Sequence, residues 1–531
     1  MLRLTWVQPE DLLGHELRQA TLDGREPSAI AARWRAAGGG EAPLRAGASP
    51  EPASRYLRQL AKDLLDELAD LPSKLAETEP TDLARIKALC SNWPTESAGS
   101  RAAGAATRSS AAPGEPSARS CGQSCRLGGS RPEESGTPPA RAGAPTPPSL
   151  RAIVPPGVVR VGAGGTLPAP VSALTPYSTT TQARLEAAWL GRAAGCLLGK
   201  PVEKLPLEGI RQLAKSTGNW PLNTYFTAKG VPAELLSAHP WNRRSANNSL
   251  AENIDGMPED DDLNYPLLNL LLLQRHGRHF TPTDVAGLWL SELPAGRTFT
   301  AERIAYRNLL LGLEPPRTAR HRNPFREWIG ALIRADVHGW TNPGDPAAAA
   351  EQAHRDATLT HTANGVYAAM FTAATIAQAA TGTHDIHACL RTGLTVIPPH
   401  SRLARAIRQA VQLAEEHADF DTVVDELHAT HAATHHWVHA VPNTALIAAA
   451  LTHANGDFTG SICRAVSGGW DTDSNGATAG SIAALLTGTP AALPDRWTTP
   501  LKNRLATSIG DFNGIGFDTL AHLTHREASR P

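Results

Sequence analysis

The residues best suited to chemistry lie near the far end of the chain, in Ser467-Gly-Gly-Trp-Asp-Thr-Asp-Ser-Asn-Gly476. Asp471 and Asp473 stand two apart beside Ser474 and Asn475. Such a run offers hard oxygen donors, which suit Mg²⁺ or Ca²⁺. The spelling Asp-x-Asp-x-Asn-Gly also opens a calcium-binding EF-hand loop, but that loop needs a glutamate at its twelfth position. The twelfth residue here is Ile482, inside a run already helical in pattern. The calcium loop is therefore rejected, and the stretch reads as half of a metal site completed from elsewhere in the chain.

Two other acidic places can complete it. In Met257-Pro-Glu-Asp-Asp-Asp-Leu-Asn-Tyr265, the consecutive Asp260, Asp261 and Asp262 repel one another unless solvated or neutralised by a cation. A helix N-terminus relieves only about 0.3–1 kcal/mol of that. Glu203 follows Gly191-Arg-Ala-Ala-Gly-Cys-Leu-Leu-Gly-Lys-Pro-Val202, where glycines fall at every fourth position. Gly476, Gly480, Ala484 and Gly488 repeat that spacing after the first motif. Each glycine costs a helix about 1 kcal/mol relative to alanine, which makes sense where two helix backbones approach closely. Packed stripe to stripe, those helices set Glu203 opposite Asp471 and Asp473. A third candidate is His361, in Asp356-Ala-Thr-Leu-Thr-His-Thr-Ala-Asn-Gly365. Upstream, Arg334 and Asp336 interrupt an apolar pattern. Interior charges need partners, so these two read as a pocket wall.

The elements that must hold these residues read as helices. From about Thr180 onward apolar residues recur at three- and four-residue steps. The predicted helices include Gln182–Leu198, Leu263–Gln274, Asp284–Leu293, Phe325–Ala335, Ala347–Thr358, Val366–Ala380 and Thr444–Thr452. Val396-Ile-Pro-Pro is too short to argue for a sheet. The predicted fold class is all-α, in one domain over residues 181–525. Upstream, Ala53–Leu71 places Leu57, Leu60, Leu64, Leu68 and Leu71 on one face and stops at Pro72. A second helix follows Thr81 as N-cap, through Leu83, Ile86 and Leu89. Residues 53–96 thus read as a small helical hairpin, structural or partner-docking in role, while residues 1–52 yield little. Residues 97–180 are rich in Ala, Gly, Ser, Pro and Arg without apolar periodicity, and read as a disordered linker.

Bulk properties exclude several classes. Lys+Arg 50 against Asp+Glu 51 leaves a net charge of −1, so nothing draws the chain to nucleic acid or an anionic membrane. The six cysteines, Cys90, Cys121, Cys125, Cys196, Cys389 and Cys463, lack zinc-like or disulfide-like spacing. No run of about 18 apolar residues suggests a membrane span, and the first ten residues lack a signal-peptide core. The expectation is a soluble, cytoplasmic, monomeric protein.

With these motifs in view, residues 183–490 resemble the ADP-ribosylglycohydrolase family, which includes the glycohydrolase that reactivates ADP-ribosylated dinitrogenase reductase. Gly-Trp-Asp-Thr-Asp-Ser (469–474) looks like the family's C-terminal metal signature, with Ser474 in place of the usual threonine. Gly195-Cys-Leu-Leu-Gly-Lys-Pro-Val-Glu203 resembles its first helix and following acid. Glu-Asp-Asp-Asp (259–262) occupies the place of its Thr-Asp-Asp-Thr, leaving open whether the pair is Asp260-Asp261 or Asp261-Asp262. Thr360-His361 and Ile333-Arg334 are similar to its Thr-His and Met-Arg. The resemblance implies orthogonally packed helices around a centre of two Mg²⁺ ions, with Mn²⁺ an alternative. Implied ligands are Asp260, Asp261, Asp262, Asp471, Asp473 and Ser474, with Glu203 and then Asp261 as catalytic base. Arg334, Asp336, His361, Asn364 and Trp470 are assigned to substrate binding. The implied reaction is hydrolysis of a ribosyl glycosidic bond that removes ADP-ribose from a modified protein or small molecule. The alternatives are a hydrolase of small N-ribosyl metabolites, a catalytically silent module that binds ADP-ribose or a nucleotide, and a structural protein whose acidic loops hold one ordering cation.

Overall fold

Two long helices with small residues on their facing sides form the axis around which the chain is built. The computed structural model describes residues 4–41, 47–94 and 176–530, and for 176–180 the backbone alone. The helices used below are α1 (Pro9–Leu22), α2 (Ser28–Ala36), α3 (Arg55–Asp70), α4 (Leu83–Leu89), α5 (Pro176–Gly199), α6 (Asp261–His276), α7 (Ala363–Ala379), α8 (Arg402–Glu416), α9 (Ala440–His453) and α10 (Thr472–Thr487). The axis is the pair α5 and α10. A Cβ built on Gly191 would lie 2.4 Å from the Gly480 carbonyl oxygen, one on Gly195 1.9 Å from that of Gly476, and one on Gly199 2.2 Å from that of Thr472. No side chain fits these contacts, which is why the stripe is glycine. Thr472 Oγ1 donates to the Gly199 carbonyl at 2.8 Å, pinning the end of α5 to the start of α10.

The fold is all-α, and among the described residues there is no strand, only isolated bridges. α6, α7 and α9 are buried along most of their length because they run through the core, and short capped helices surround them. Most predicted helices appear with shifted ends. Phe325–Ala335 does not form an α-helix. Trp328 pairs with His439 as an isolated bridge, and the Ile329 amide bonds to the Val438 carbonyl at 3.0 Å. The chain then winds into a short 3₁₀ helix, Ile329–Arg334, because its first amide has left the helical ladder.

The N-terminal region is more structured than its sequence suggests. Within residues 1–52, α1 and α2 form, with Leu12, Leu13, Ile30 and Trp34 buried. α3 packs on α1 and α2, so its expected pairing with α4 is replaced. Ser54 caps α3, and the N-cap of α4 is Asp82 in place of Thr81. Thr81 Oγ1 instead accepts from the Ala363 amide at 3.1 Å and so ties this region to the start of α7. Buried ion pairs continue the seam: Arg326 with Glu16, and Arg402 with Glu79. Most of the predicted linker lies outside the described residues, but its last residues, 176–180, begin α5. Among the described residues no helix is long and apolar enough to cross a membrane.

Candidate metal centre

Three chain segments deliver carboxylates to one end of a cavity of about 350 Å³. The first is the exit of α5. A single 3₁₀ turn, Lys200–Val202, carries the chain to Glu203. The second is the start of α6, where Asp260 is the N-cap and accepts from the Asp262 amide at 2.9 Å. The third is the turn before α10. Gly469 and Trp470 both take positive φ, 78° and 58°, a sharp reversal that sets Asp471 at the N-cap and Asp473 in the first turn. Trp470 stacks on His428 at 4.2 Å, and His428 Nε2 donates to the Gly468 carbonyl at 2.8 Å. The tryptophan therefore braces this turn and does not line the cavity.

Glu203, Asp471 and Asp473 bring carboxylate oxygens within 4.8 Å of one another, and Cys196, Asp260 and Asp262 do the same with one ligand atom each. Glu203 is oriented by Asn242 Nδ2 at 2.7 Å and Lys204 Nζ at 2.8 Å. Asp260 is ion-paired with Lys200. Burial works against ionisation of Asp260, but Lys200 outweighs it and holds the pKa below the ordinary carboxylate range. Asp262 is bound by Arg192 Nη2 at 3.1 Å and accepts from Ser474 Oγ at 3.3 Å. Asp261 lines the cavity, and among the described residues no donor reaches its carboxylate. Glu259, which stands where the resembled motif has threonine, is taken up by Arg297 at 2.7 Å and by Ser508.

These acids are under-neutralised. Six carboxylates (Glu203, Asp260, Asp261, Asp262, Asp471 and Asp473) meet three cationic groups (Arg192, Lys200 and Lys204). Burial, then Asp260 and Asp473, pushes Asp261 well above the usual range. Burial, then Asp473 and Glu203, does the same to Asp471. Burial, then Glu203 and Asp260, raises Asp473 to about 7. Excess negative charge in a cleft of oxygen donors, with Asp261 unpartnered, is a donor set that fits a hard divalent cation.

The other expected residues lie elsewhere. Arg334, Asp336 and His361 are fully buried behind the cavity wall. Arg334 binds Glu302 at 2.9 Å, Asp356 at 2.9 Å and Thr360 Oγ1 at 2.7 Å, while His361 Nδ1 meets Thr360 Oγ1 at 2.6 Å. Asp336 pairs with Arg192 Nη1 at 2.9 Å, so a single guanidinium connects it to Asp262. Asn364 belongs to the N-terminal seam, donating to Glu79 at 2.8 Å and Glu327 at 3.0 Å. Sequence reasoning passed over Arg192 and Lys200, although both sit in the quoted glycine-striped segment, where a charge inside an apolar helix needs a buried partner. It also passed over Asn242, Arg244, Arg297, Phe299 and Trp437, which line the cavity, and Trp6, which enters from the N-terminal segment. Arg303 Nη1 holds that segment at Thr5 Oγ1, 2.7 Å.

Residues 177–528 match the family model described as ADP-ribosylglycohydrolase. A solved "ADP-ribosylglycohydrolase-related protein complex" is similar at 21% identity, covering 66% of this chain and 99% of that chain, with a TM-score of 0.40. Among curated proteins none matches.

Proposed function

The chain belongs to the ADP-ribosylglycohydrolase family, glycosidases of ADP-ribosyl type, and from that premise we propose a divalent-metal-dependent hydrolase that releases ADP-ribose from a modified protein or small molecule. The observation that carries the reading is the lining of one cavity, where the clustered carboxylates share the wall with Lys204, Arg244 and Arg297. The acids suit a cation, and the basic groups suit the diphosphate of an ADP-ribosyl substrate. Phe299, Trp437 and Trp6 add apolar surface.

The residues proposed to hold one or two Mg²⁺ ions, or Mn²⁺, are Asp261, Asp262, Asp471, Asp473 and Ser474. Asp260 contributes least, because Lys200 already takes up its charge. A cation held by these residues would supply Lewis acidity, lowering the pKa of a water and polarising substrate oxygens. The chain's own residues do the rest. Cleavage at the anomeric carbon builds positive charge on the ribose, and the acidic base of the cavity stabilises it. Glu203, fixed by Asn242 and Lys204, is proposed to accept the proton of the attacking water. Asp261 is the second candidate for that role.

The test pairs Mg²⁺ calorimetry with release of ribose product from a panel of ADP-ribosylated and N-ribosyl compounds. The Asp471→Ala, Asp473→Ala double variant should lose Mg²⁺ binding and turnover while keeping its helical spectrum. Turnover of N-ribosyl metabolites alone would replace the substrate class proposed here. Binding of ADP-ribose without any turnover would instead identify a silent module, and retention of metal and activity in the double variant would sink the metal-centre reading.

A further inference from the structure

A second cavity, also of about 350 Å³, lies in the seam between the N-terminal helices and the rest of the fold, and it shares no lining residue with the acidic one. Its walls carry six arginines, Arg25, Arg85, Arg320, Arg322, Arg326 and Arg402, against three acids, Glu16, Asp23 and Glu79. Two of the arginines share those three acids. Arg326 pairs with Glu16 at 2.7 Å and with Asp23, and Arg402 pairs with Glu79 at 2.7 Å while also reaching Glu327 at 2.9 Å. Arg322 and Arg85 pair with Asp66 and Glu77, at 2.6 and 2.7 Å, but those carboxylates are largely exposed. Solvent screens such pairs strongly.

Unpartnered guanidinium N–H groups remain, and one arginine of the wall has no acid among the described residues. Arg25 lies 3.6 Å from Asp23, a carboxylate already shared with Arg326, and its Nε is buried with no hydrogen-bond partner among the described residues. Burial and then Arg326 lower its pKa, as expected of a guanidinium crowded by its own kind. Arg320 forms no ion pair among the described residues. Arg402 Nη1 is buried and unpartnered there as well. Thr81 and Thr362 add hydroxyl groups to the same wall.

We propose that this cavity binds a small phosphate-bearing anion, held between Arg25 and Arg320 with Arg402 behind. Guanidinium forks match phosphate oxygens two at a time, which a lone lysine does not. A volume of this size takes a small molecule and excludes a nucleic-acid strand. Because α1 supplies part of the wall and the 317–326 stretch another part, an occupant bridges the seam and holds the N-terminal helices in place.

Calorimetric titration of inorganic pyrophosphate into the full chain, with chelator present and at physiological salt, tests this. The expected result is saturable pyrophosphate binding with one site weakened about tenfold or more in Arg320→Glu and in Arg25→Gln, the effect of losing a charge-assisted contact, while any binding at Lys204, Arg244 and Arg297 stays unchanged in both. Arg320 is exposed and unpaired, so its substitution leaves the fold intact. The Asp471→Ala, Asp473→Ala variant should bind pyrophosphate as the parent does, which separates this cavity from the acidic one. No saturable binding up to about 10 mM, equal binding by Arg320→Glu, or loss in the aspartate variant overturns the proposal.

Discussion

Replacing Gly195 with alanine tests the link from glycine stripe to metal centre most directly. The added Cβ would sit 1.9 Å from the Gly476 carbonyl oxygen, 2.4 Å from its carbon and 3.1 Å from the Ala477 amide nitrogen. An ordinary carbon–oxygen contact is about 3.3 Å or more, so the helices must part by about 1.4 Å. The obstacle is helix backbone, which cannot rotate away as a side chain would. Overpacking of this kind costs about 1–3 kcal/mol, and the gain in helix propensity returns about 1 kcal/mol of it. The larger consequence is positional. Glu203 leaves the end of α5 and Asp471 begins α10, so parting these helices spreads the Glu203, Asp471 and Asp473 oxygens that now lie within 4.8 Å. A misplacement of about 1 Å in a catalytic constellation costs on the order of 100-fold. Urea denaturation should show a loss of up to about 2 kcal/mol, and Mg²⁺ titration a disproportionate loss of affinity. A Gly195→Ala variant with parental stability and parental Mg²⁺ affinity would refute the claim that this contact sets the centre.

Gly287 provides the contrast: it is exposed within Pro282–Glu292 with nothing within 4 Å of where a Cβ would sit, so Gly287→Ala should stabilise by up to about 1 kcal/mol in the same urea assay. Arg192→Met should cost about 3–5 kcal/mol, because it strands the buried Asp262 and Asp336 without their shared cation; a loss below about 1 kcal/mol would show that they neutralise by other means. Acidification should weaken the fold through His15, whose pKa burial and then Arg18 lower to about 3. The unfolded chain takes up that proton near 6.5, so the stabilisation is complete above about 6.5 and falls by up to about 1.4 kcal/mol per unit as pH drops towards 3. His15 packs edge-on to Phe325 and Trp328, so His15→Phe should flatten the urea-midpoint slope between about pH 5 and 6.5, and an unchanged slope would rule out this source. Chelation should lower the melting temperature without altering the helical spectrum, since a ligand at 100 times its Kd contributes about 2.7 kcal/mol; identical melting curves with and without Mg²⁺ would count against a metal centre.

The helices and the meeting of the acids were legible because both rest on local rules. A four-residue glycine period names the face of closest approach, and the positions of Glu203 and Asp471 just beyond the striped helices follow from it. The three consecutive aspartates announced a neutralised cluster, but they could not say which cation neutralised which acid. That depends on long-range contacts, Lys200 to Asp260 and Arg192 to Asp262, between segments about 60 and 70 residues apart. The segment 325–335 was misread because apolar periodicity does not reveal that the Ile329 amide is claimed by Val438. Residues 1–52 were unreadable for a similar reason. α1 buries Glu10, Asp11, His15, Glu16 and Gln19, polar groups that look like a solvated face until Arg58, Ser49 and Arg326 meet them.

Arg334, Asp336 and His361 show what a charged residue in an apolar pattern does and does not establish. Arg334 and Asp336 were expected to have partners, and all three residues have one or more: Glu302, Asp356 and Thr360 for Arg334, Arg192 for Asp336, and Thr360 for His361. Partnership within the core is compatible with a pocket wall or with a layer behind it, and only the path of the backbone decides between them. Here the wall at that point is Glu302, Gly330 and Ile333, with Arg334 directly behind Glu302. A Cβ on Gly330 would fall 2.1 Å from a Glu302 carboxylate oxygen, so this glycine leaves the space in which Arg334 and Glu302 meet. The arginine thus reaches the cavity through a glutamate, and its influence on any ligand there is the influence it has on where that carboxylate points.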